Sequence, residues 1–243
     1  MSMNDAFAPR HWWWFPAIIV ATIVVGLYLD QTFSWGQPVV SVWTWLLFCT
    51  LLWSSTPRIR TELIACVLIA GTGEMVCALL WGAYEYRLGN VPLFVPPGHA
   101  LLYWLGVQLA GACSPMWQNR LVKATLLGVA ALAIGLAVPG LDRLSVALVA
   151  LLGVCVWRGR DPALYAVMFW LALTMELYGT ALGNWFWQPI TPYVGLNTLN
   201  PPFAAGVFYA VLDVLVAAVA RRIPLSVSAP SHASPMAPTT AER

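Results

Sequence analysis

Apolar residues run along this chain in blocks of helical length rather than in alternation. The blocks cover roughly 12–29, 38–54, 62–82, 98–117, 121–139, 143–157, 162–182 and 201–220. A helix needs about 20 predominantly apolar residues to cross the hydrocarbon of a bilayer, so the pattern predicts about eight membrane-spanning helices and an all-α, polytopic membrane protein. The sixth block is short, and only Pro139-Gly140-Leu141-Asp142-Arg143 separates it from the fifth. Pro-Gly is turn chemistry and argues for two helices rather than one. The run that follows Trp12, Trp13 and Trp14 lacks a small-residue cleavage pattern and reads as a retained first helix. After Arg222 the composition shifts to Ser, Ala, Pro and Thr, which predicts a disordered cytoplasmic tail over 223–243.

Composition sharpens the picture. The chain is 60% hydrophobic and 9% charged over 243 residues, whereas soluble domains carry about a quarter charged residues, so a water-soluble enzyme is excluded. The net charge is +2 with no basic run, which argues against a surface that tracks nucleic-acid phosphates. Threaded through eight spans, Arg10, Arg58, Arg60, Arg120, Lys123, Arg158, Arg160, Arg221, Arg222 and Arg243 fall on one side, and of the 12 basic residues only Arg87 and Arg143 fall opposite. Positive charge is retained in the cytoplasm, which predicts a multi-pass protein of a bacterial-type inner membrane with both termini cytoplasmic. Trp53, Trp117 and Trp157 then sit at inner helix ends, and Trp35, Trp81, Trp185 and Trp187 at outer ends. The five cysteines have no CxxC spacing, lie in apolar stretches and read as small hydrophobes.

Self-comparison gives an internal repeat. Thr72-Gly73-Glu74 on the third helix matches Thr174-Met175-Glu176 on the seventh. Each is followed by a Gly-x-aromatic-x-aromatic exit, Gly82-Ala83-Tyr84-Glu85-Tyr86 and Gly183-Asn184-Trp185-Phe186-Trp187. Pro96-Pro97 and Pro201-Pro202 come next, each placed to open the following helix, and Gln108 and Asp213 stand at equal distances beyond them. Four helices separate the copies, so the halves share one orientation: a parallel repeat of four helices over 1–119 and another over 120–222.

An ionisable group near mid-membrane costs about 2.5–3.5 kcal/mol on insertion scales and faces a cavity or a partner. Glu74, Glu176 and Asp213 have no Lys or Arg at their depth, which makes them the candidate catalytic residues. Their expected states are neutral, or hydrogen-bonded to one another and to Gln108, Thr72 and Thr174; interhelical hydrogen bonding alone is the structural alternative. Four candidate substrate contacts accompany them: Gln108, His99, Trp81 and Asn184. His99 has no second histidine near it and reads as a proton donor or substrate contact rather than a metal ligand. Asn184, like Asn197 and Asn200, also reads as a loop or cap residue. Tyr84, Tyr86, Trp185 and Trp187 read as interface anchors or as substrate contacts. Gly179-x-x-x-Gly183 has the spacing that seats a neighbouring helix.

A neutral carboxylic acid in an apolar site can protonate a carbon–carbon double bond, and aromatic faces can stabilise the resulting cation. That chemistry suits an isoprenoid or carotenoid-like substrate and needs no cofactor; the sequence has no nucleotide-binding loop, metal-ligand cluster or serine-nucleophile motif. Glu74, Gly82-Ala83-Tyr84-Glu85-Tyr86, Leu88-Gly89 and Val91-Pro92-Leu93-Phe94-Val95-Pro96 resemble a signature of the bacterial membrane carotenoid-biosynthesis family that includes carotenoid 1,2-hydratases. The resemblance covers about thirty residues, with a fainter echo at Asn200-Pro201-Pro202. The family's Pro-Phe-Gly is Leu80-Trp81-Gly82 here, and Gly98-His99 stands where the family has Trp. The resemblance implies Glu74 as the intramembrane acid and hydration or isomerisation of a double bond as the reaction. Two other classes fit midplane acids in a parallel repeat: a proton-coupled transporter, and an accessory protein that binds lipid. The expected partners are the bilayer and a hydrophobic small molecule.

Overall fold

The computed structural model describes residues 14–223; the expectations for Arg10, His11, Trp12, Trp13, the tail after Ile223 and both termini lie outside them. Long apolar runs fold into helices because a helix pairs its own backbone polar groups, and eight form among the described residues. They are α1 (Phe15–Thr32), α2 (Gly36–Ser54), α3 (Pro57–Glu74), α4 (Val95–Ala112), α5 (Pro115–Ala137), α6 (Leu144–Arg158), α7 (Pro162–Leu182) and α8 (Val207–Arg222). Proline in the first turn starts α1, α3, α4, α5 and α7, where its missing N–H has no partner to lose.

Five of these helices are long and apolar enough to cross a membrane: α1, α2, α5, α7, and α3 together with the turn that extends it to Leu80. Their outward faces carry large exposed apolar side chains such as Val42, Leu68, Leu127 and Ile134. A fold with such a surface belongs in lipid, and the chain has the character of an all-α membrane protein. Helix α6 is apolar but shorter. Helix α4 carries His99 and Gln108, and is central, packed by α1, α2, α3 and α7.

The third helix departs from expectation. It is α-helical only to Glu74 and continues as a π-helical turn over Met75–Leu80, which closes with Trp81 N–H on the Val76 carbonyl at 2.7 Å. The last helix departs too, since Pro201-Pro202 do not open it. A turn over 203–206 intervenes, held by Asp142, which is fully buried and accepts from Phe203 N–H at 2.7 Å and from the Ser145 hydroxyl at 2.7 Å.

Two three-residue strands, β1 (Tyr84–Tyr86) and β2 (Trp185–Trp187), pair antiparallel with Tyr84 opposite Trp187, Glu85 opposite Phe186 and Tyr86 opposite Trp185. Each follows a glycine at positive φ, Gly82 at 72° and Gly183 at 84°, which turns the chain out of its helix where a side chain would strain. Both strands bury their outer two residues and expose the central one, as the two-residue period of a strand requires. Four aromatic rings therefore point the same way, toward the ends of α3 and α7.

Candidate functional site

The rings meet the two glutamates. Glu74 Oε2 accepts from the Tyr84 hydroxyl at 2.5 Å and the Tyr86 hydroxyl at 2.7 Å. Glu176 Oε2 accepts from the Trp185 indole at 2.8 Å and the Trp187 indole at 3.1 Å. All four donors are buried, as are both acids. Burial, reinforced by the neighbouring Glu74 carboxyl, pushes both phenols well above the usual tyrosine range, so they stay protonated and donate. The reading of these four aromatics as interface anchors is corrected: an amphipathic ring at a helix end satisfies the headgroup region and a buried acid equally well, and here the polar edge turns inward.

The other oxygen of Glu74 faces His99. Its Oε1 lies 3.3 Å from His99 Nε2, while Nδ1 of the same ring lies 2.9 Å from the Val95 carbonyl. A carbonyl only accepts, so Nδ1 is the donor there, which leaves Nε2 facing Oε1 of Glu74. The Tyr209 ring stacks on His99 with centroids 4.8 Å apart and planes 4° from parallel. Glu74 thus has a basic partner at its own depth, a histidine 25 residues further on rather than a Lys or Arg.

Two cavities touch these residues. One, of about 80 Å³, extends among α1, α2, α4 and α7; the other, of about 180 Å³, extends between α3 and α8. Glu74, Tyr84, His99, Glu176 and Tyr209 line both. Trp81 lines the second cavity, its indole donating to the Pro192 carbonyl at 2.9 Å. The helices that supply the acids and His99, namely α3, α4 and α7, pack around this space together with α8.

Other residues named from the sequence lie elsewhere. Asn184 is a structural residue: its amide donates to the Asp30 carboxylate at 2.7 Å and the Leu27 carbonyl at 3.0 Å, and it lines neither cavity. Arg87 completes this clamp on Asp30, with Nη2 at 3.3 Å from Oδ1 and a second bond to the Asp30 carbonyl. Asp213 is buried, lines neither cavity, and neither of its oxygens has a hydrogen-bond partner among the described residues. Gln108 also lies outside both linings. Thr72 and Thr174 do not reach the acids; their hydroxyls bond back to the Leu68 and Trp170 carbonyls, one helical turn earlier. Of the glycine pair, Gly179 makes room for the Trp185 ring rather than for a helix, while Gly183 ends α7 in a left-handed cap beside Gln31 of α1.

Sequence reasoning missed Asp30, Asp142 and Tyr209. Comparison with protein-family models, with curated proteins and with solved structures returned no match for this chain.

Proposed function

We propose that this protein is an integral membrane enzyme that adds water to, or isomerises, a carbon–carbon double bond of an isoprenoid or carotenoid-like substrate by acid–base chemistry between Glu74 and Glu176. The observation that carries the reading is the Glu74 site: a buried carboxyl that faces His99 Nε2 at 3.3 Å and takes two tyrosine hydroxyls, on apolar cavities that Glu176 also lines. In hydration one acid gives its proton to an alkene carbon. The adjacent carbon becomes a cation, water oxygen bonds to it, and the proton lost from that water goes to the accepting group, from which one proton must pass back to the donor through the cavity before the next turnover. Glu176 suits the donor's part, because its Oε2 takes two indole donors while its Oε1 has no hydrogen bond among the described residues. The Glu74–His99 pair suits the acceptor's part. The rings of Tyr84, Tyr209 and Trp187 supply faces for the cation between them. Aromatic walls and a cavity without a charged rim favour a hydrocarbon over a polar solute.

The same reading includes eight spans in two parallel repeats. The pairing of β1 with β2 is centred on Glu85 and Phe186, and a two-fold axis through that point would exchange α3 with α7, α4 with α8, and Glu74 with Glu176. The packing of α3 on α4 then matches α7 on α8, and α2 on α4 matches α6 on α8. On this axis the strands face the outside and Arg58, Arg120, Arg158 and Arg221 the cytoplasm.

The test is product formation in organic extracts of membranes supplied with acyclic isoprenoids. Glu74→Gln and Glu176→Gln should each abolish product while the protein remains folded, because an amide of the same shape cannot exchange the proton; a general acid or base is worth about 10²–10⁴ in rate. Wild-type activity in both variants would overturn the proposal. Proton-dependent uptake into vesicles, lost in Glu74→Gln with no product in any variant, would replace it with transport.

A further inference from the structure

Both cavities are lined by the same five residues yet extend to different helices. The first runs from the acids toward Ile19 and Thr22 on α1 and Val40 and Thr44 on α2. The second runs toward Gly73 on α3 and Leu215 on α8, both exposed on the outer surface of the bundle. An apolar cavity of about 150 Å³ accepts a group the size of benzene. Neither cavity, at about 80 and 180 Å³, therefore holds more than a short stretch of a long hydrocarbon. A substrate that presented its end to the acids would need one blind pocket. Here the acids sit at the junction of two.

We propose that the two cavities act as the arms of one channel, which takes a single acyclic isoprenoid chain passing the acids on both sides. The bond held between Glu74 and Glu176 is then internal to the chain, not terminal. The inference rests on the acid–base reading for the reaction itself, and on the shape of the cavities for the position of the chain. The residues common to both cavities include Tyr84 and the stacked pair His99 and Tyr209, so a chain crossing from one arm to the other would run between aromatic faces, which suits an acyclic chain better than a ring. The polar groups are concentrated at this crossing, and the arms are apolar apart from Thr22 and Thr44, whose side of the bundle α1 and α2 supply.

Each arm has one glycine at which a side chain can be added without a clash. Gly98 lines the first arm and Gly73 the second, and a Cβ at either position meets nothing within 4 Å. Both lie in helices, where replacing glycine favours the fold. Gly98→Leu and Gly73→Leu therefore plug the arms one at a time, with Gly98→Ala and Gly73→Ala as controls. The probe is an acyclic C40 polyene, whose retention on the detergent-purified full chain is read by visible absorbance. Stearic acid is the competitor. Each Leu variant should lower retention at least tenfold, each Ala variant less than twofold, and stearic acid in equimolar amount should not displace the polyene. Product from wild type, mapped by fragmentation mass spectrometry, should carry its new group within the chain.

Retention within twofold of wild type in either Leu variant would overturn the channel, as would failure of the wild type to retain the polyene or its displacement by stearic acid. The two proposals fail separately. Loss of retention with both plugs and no product in wild type leaves the channel and removes the chemistry. Product modified at the chain end, with sensitivity to one plug, leaves the chemistry and removes the channel.

Discussion

Gly179 offers the sharpest test of how the site is held. It lies on α7 one turn beyond Glu176, and a Cβ built there would sit 2.1 Å from Cη2, 2.3 Å from Cζ2 and 2.6 Å from Cζ3 of Trp185. The ring has little room to retreat: it is buried, paired across the strands with Tyr86 at 6.1 Å between centroids, and bonded through its indole N–H to Glu176. Gly179→Ala must displace the indole. Overpacking of this kind costs about 1–3 kcal/mol, and loss of a hydrogen bond to an ionisable group about 1.5–3 kcal/mol. The two overlap, so a net loss of about 3 kcal/mol is expected, or roughly 6–12 °C in Tm for a chain of this length. Thermal unfolding in detergent measures it, with Gly73→Ala and Gly98→Ala as controls that should stay within about 1 kcal/mol of wild type. In a Trp185→Leu background the clash disappears, and the added alanine should cost less than about 1 kcal/mol. Wild-type stability of Gly179→Ala, or the same penalty with and without Trp185, would refute the argument.

Other outcomes follow from the same contacts. Tyr84→Phe and Tyr86→Phe each remove one donor to Glu74 and should lower any turnover by about tenfold or more, at about 1.5–3 kcal/mol per charge-assisted bond; product assays on the two single variants and the double variant check it. Arg87→Met should destabilise the fold by about 3 kcal/mol, the lower end for breaking a buried pair, because Asp30 stays buried while Arg87 is partly exposed; thermal unfolding reads this. In a cysteine-free background, Glu85→Cys and Phe186→Cys should label with a membrane-impermeant maleimide from the same side, and Arg120→Cys only after the membrane is opened. Labelling of all three from one side would remove the eight-span threading.

What the sequence reveals and what it hides divide along the range of the interaction. The bounds of the seventh helix, 162–182, are legible because both ends carry local signals: Asp161 caps the first turn through Leu164 N–H at 3.1 Å, and Gly183 ends the helix. The π-helical turn after Glu74 has no such mark, since Met75–Leu80 is as apolar as the helix before it. The start of α8 is hidden for another reason: the residue that organises it, Asp142, lies 61 positions away. The aromatic exits are visible as a repeat, at nearly equal spacing from their glutamates, yet spacing does not say which way a ring's polar edge turns. That depends on the glycines at positive φ and on pairing between strands about a hundred residues apart. The Asp30 clamp, which joins α1 to Asn184 across 154 positions, leaves no local trace at all.

The two halves of the site are alike in shape and unlike in chemistry, and the difference lies in the donors rather than the acids. A phenol can give a hydrogen and also accept one, whereas an indole N–H only gives. Around Glu74 a proton has somewhere to go: to Nε2 of His99 at 3.3 Å, with two hydroxyls beside it that can reorient as charge moves. Around Glu176 the indoles fix the carboxyl and carry no proton away, so a proton on that acid leaves only by way of what occupies the cavity. For the proposed reaction the asymmetry is useful. Two acids with identical surroundings in one apolar space would compete for one proton and neither would hold a defined role, while a pair set in different surroundings separates the group that gives from the group that takes.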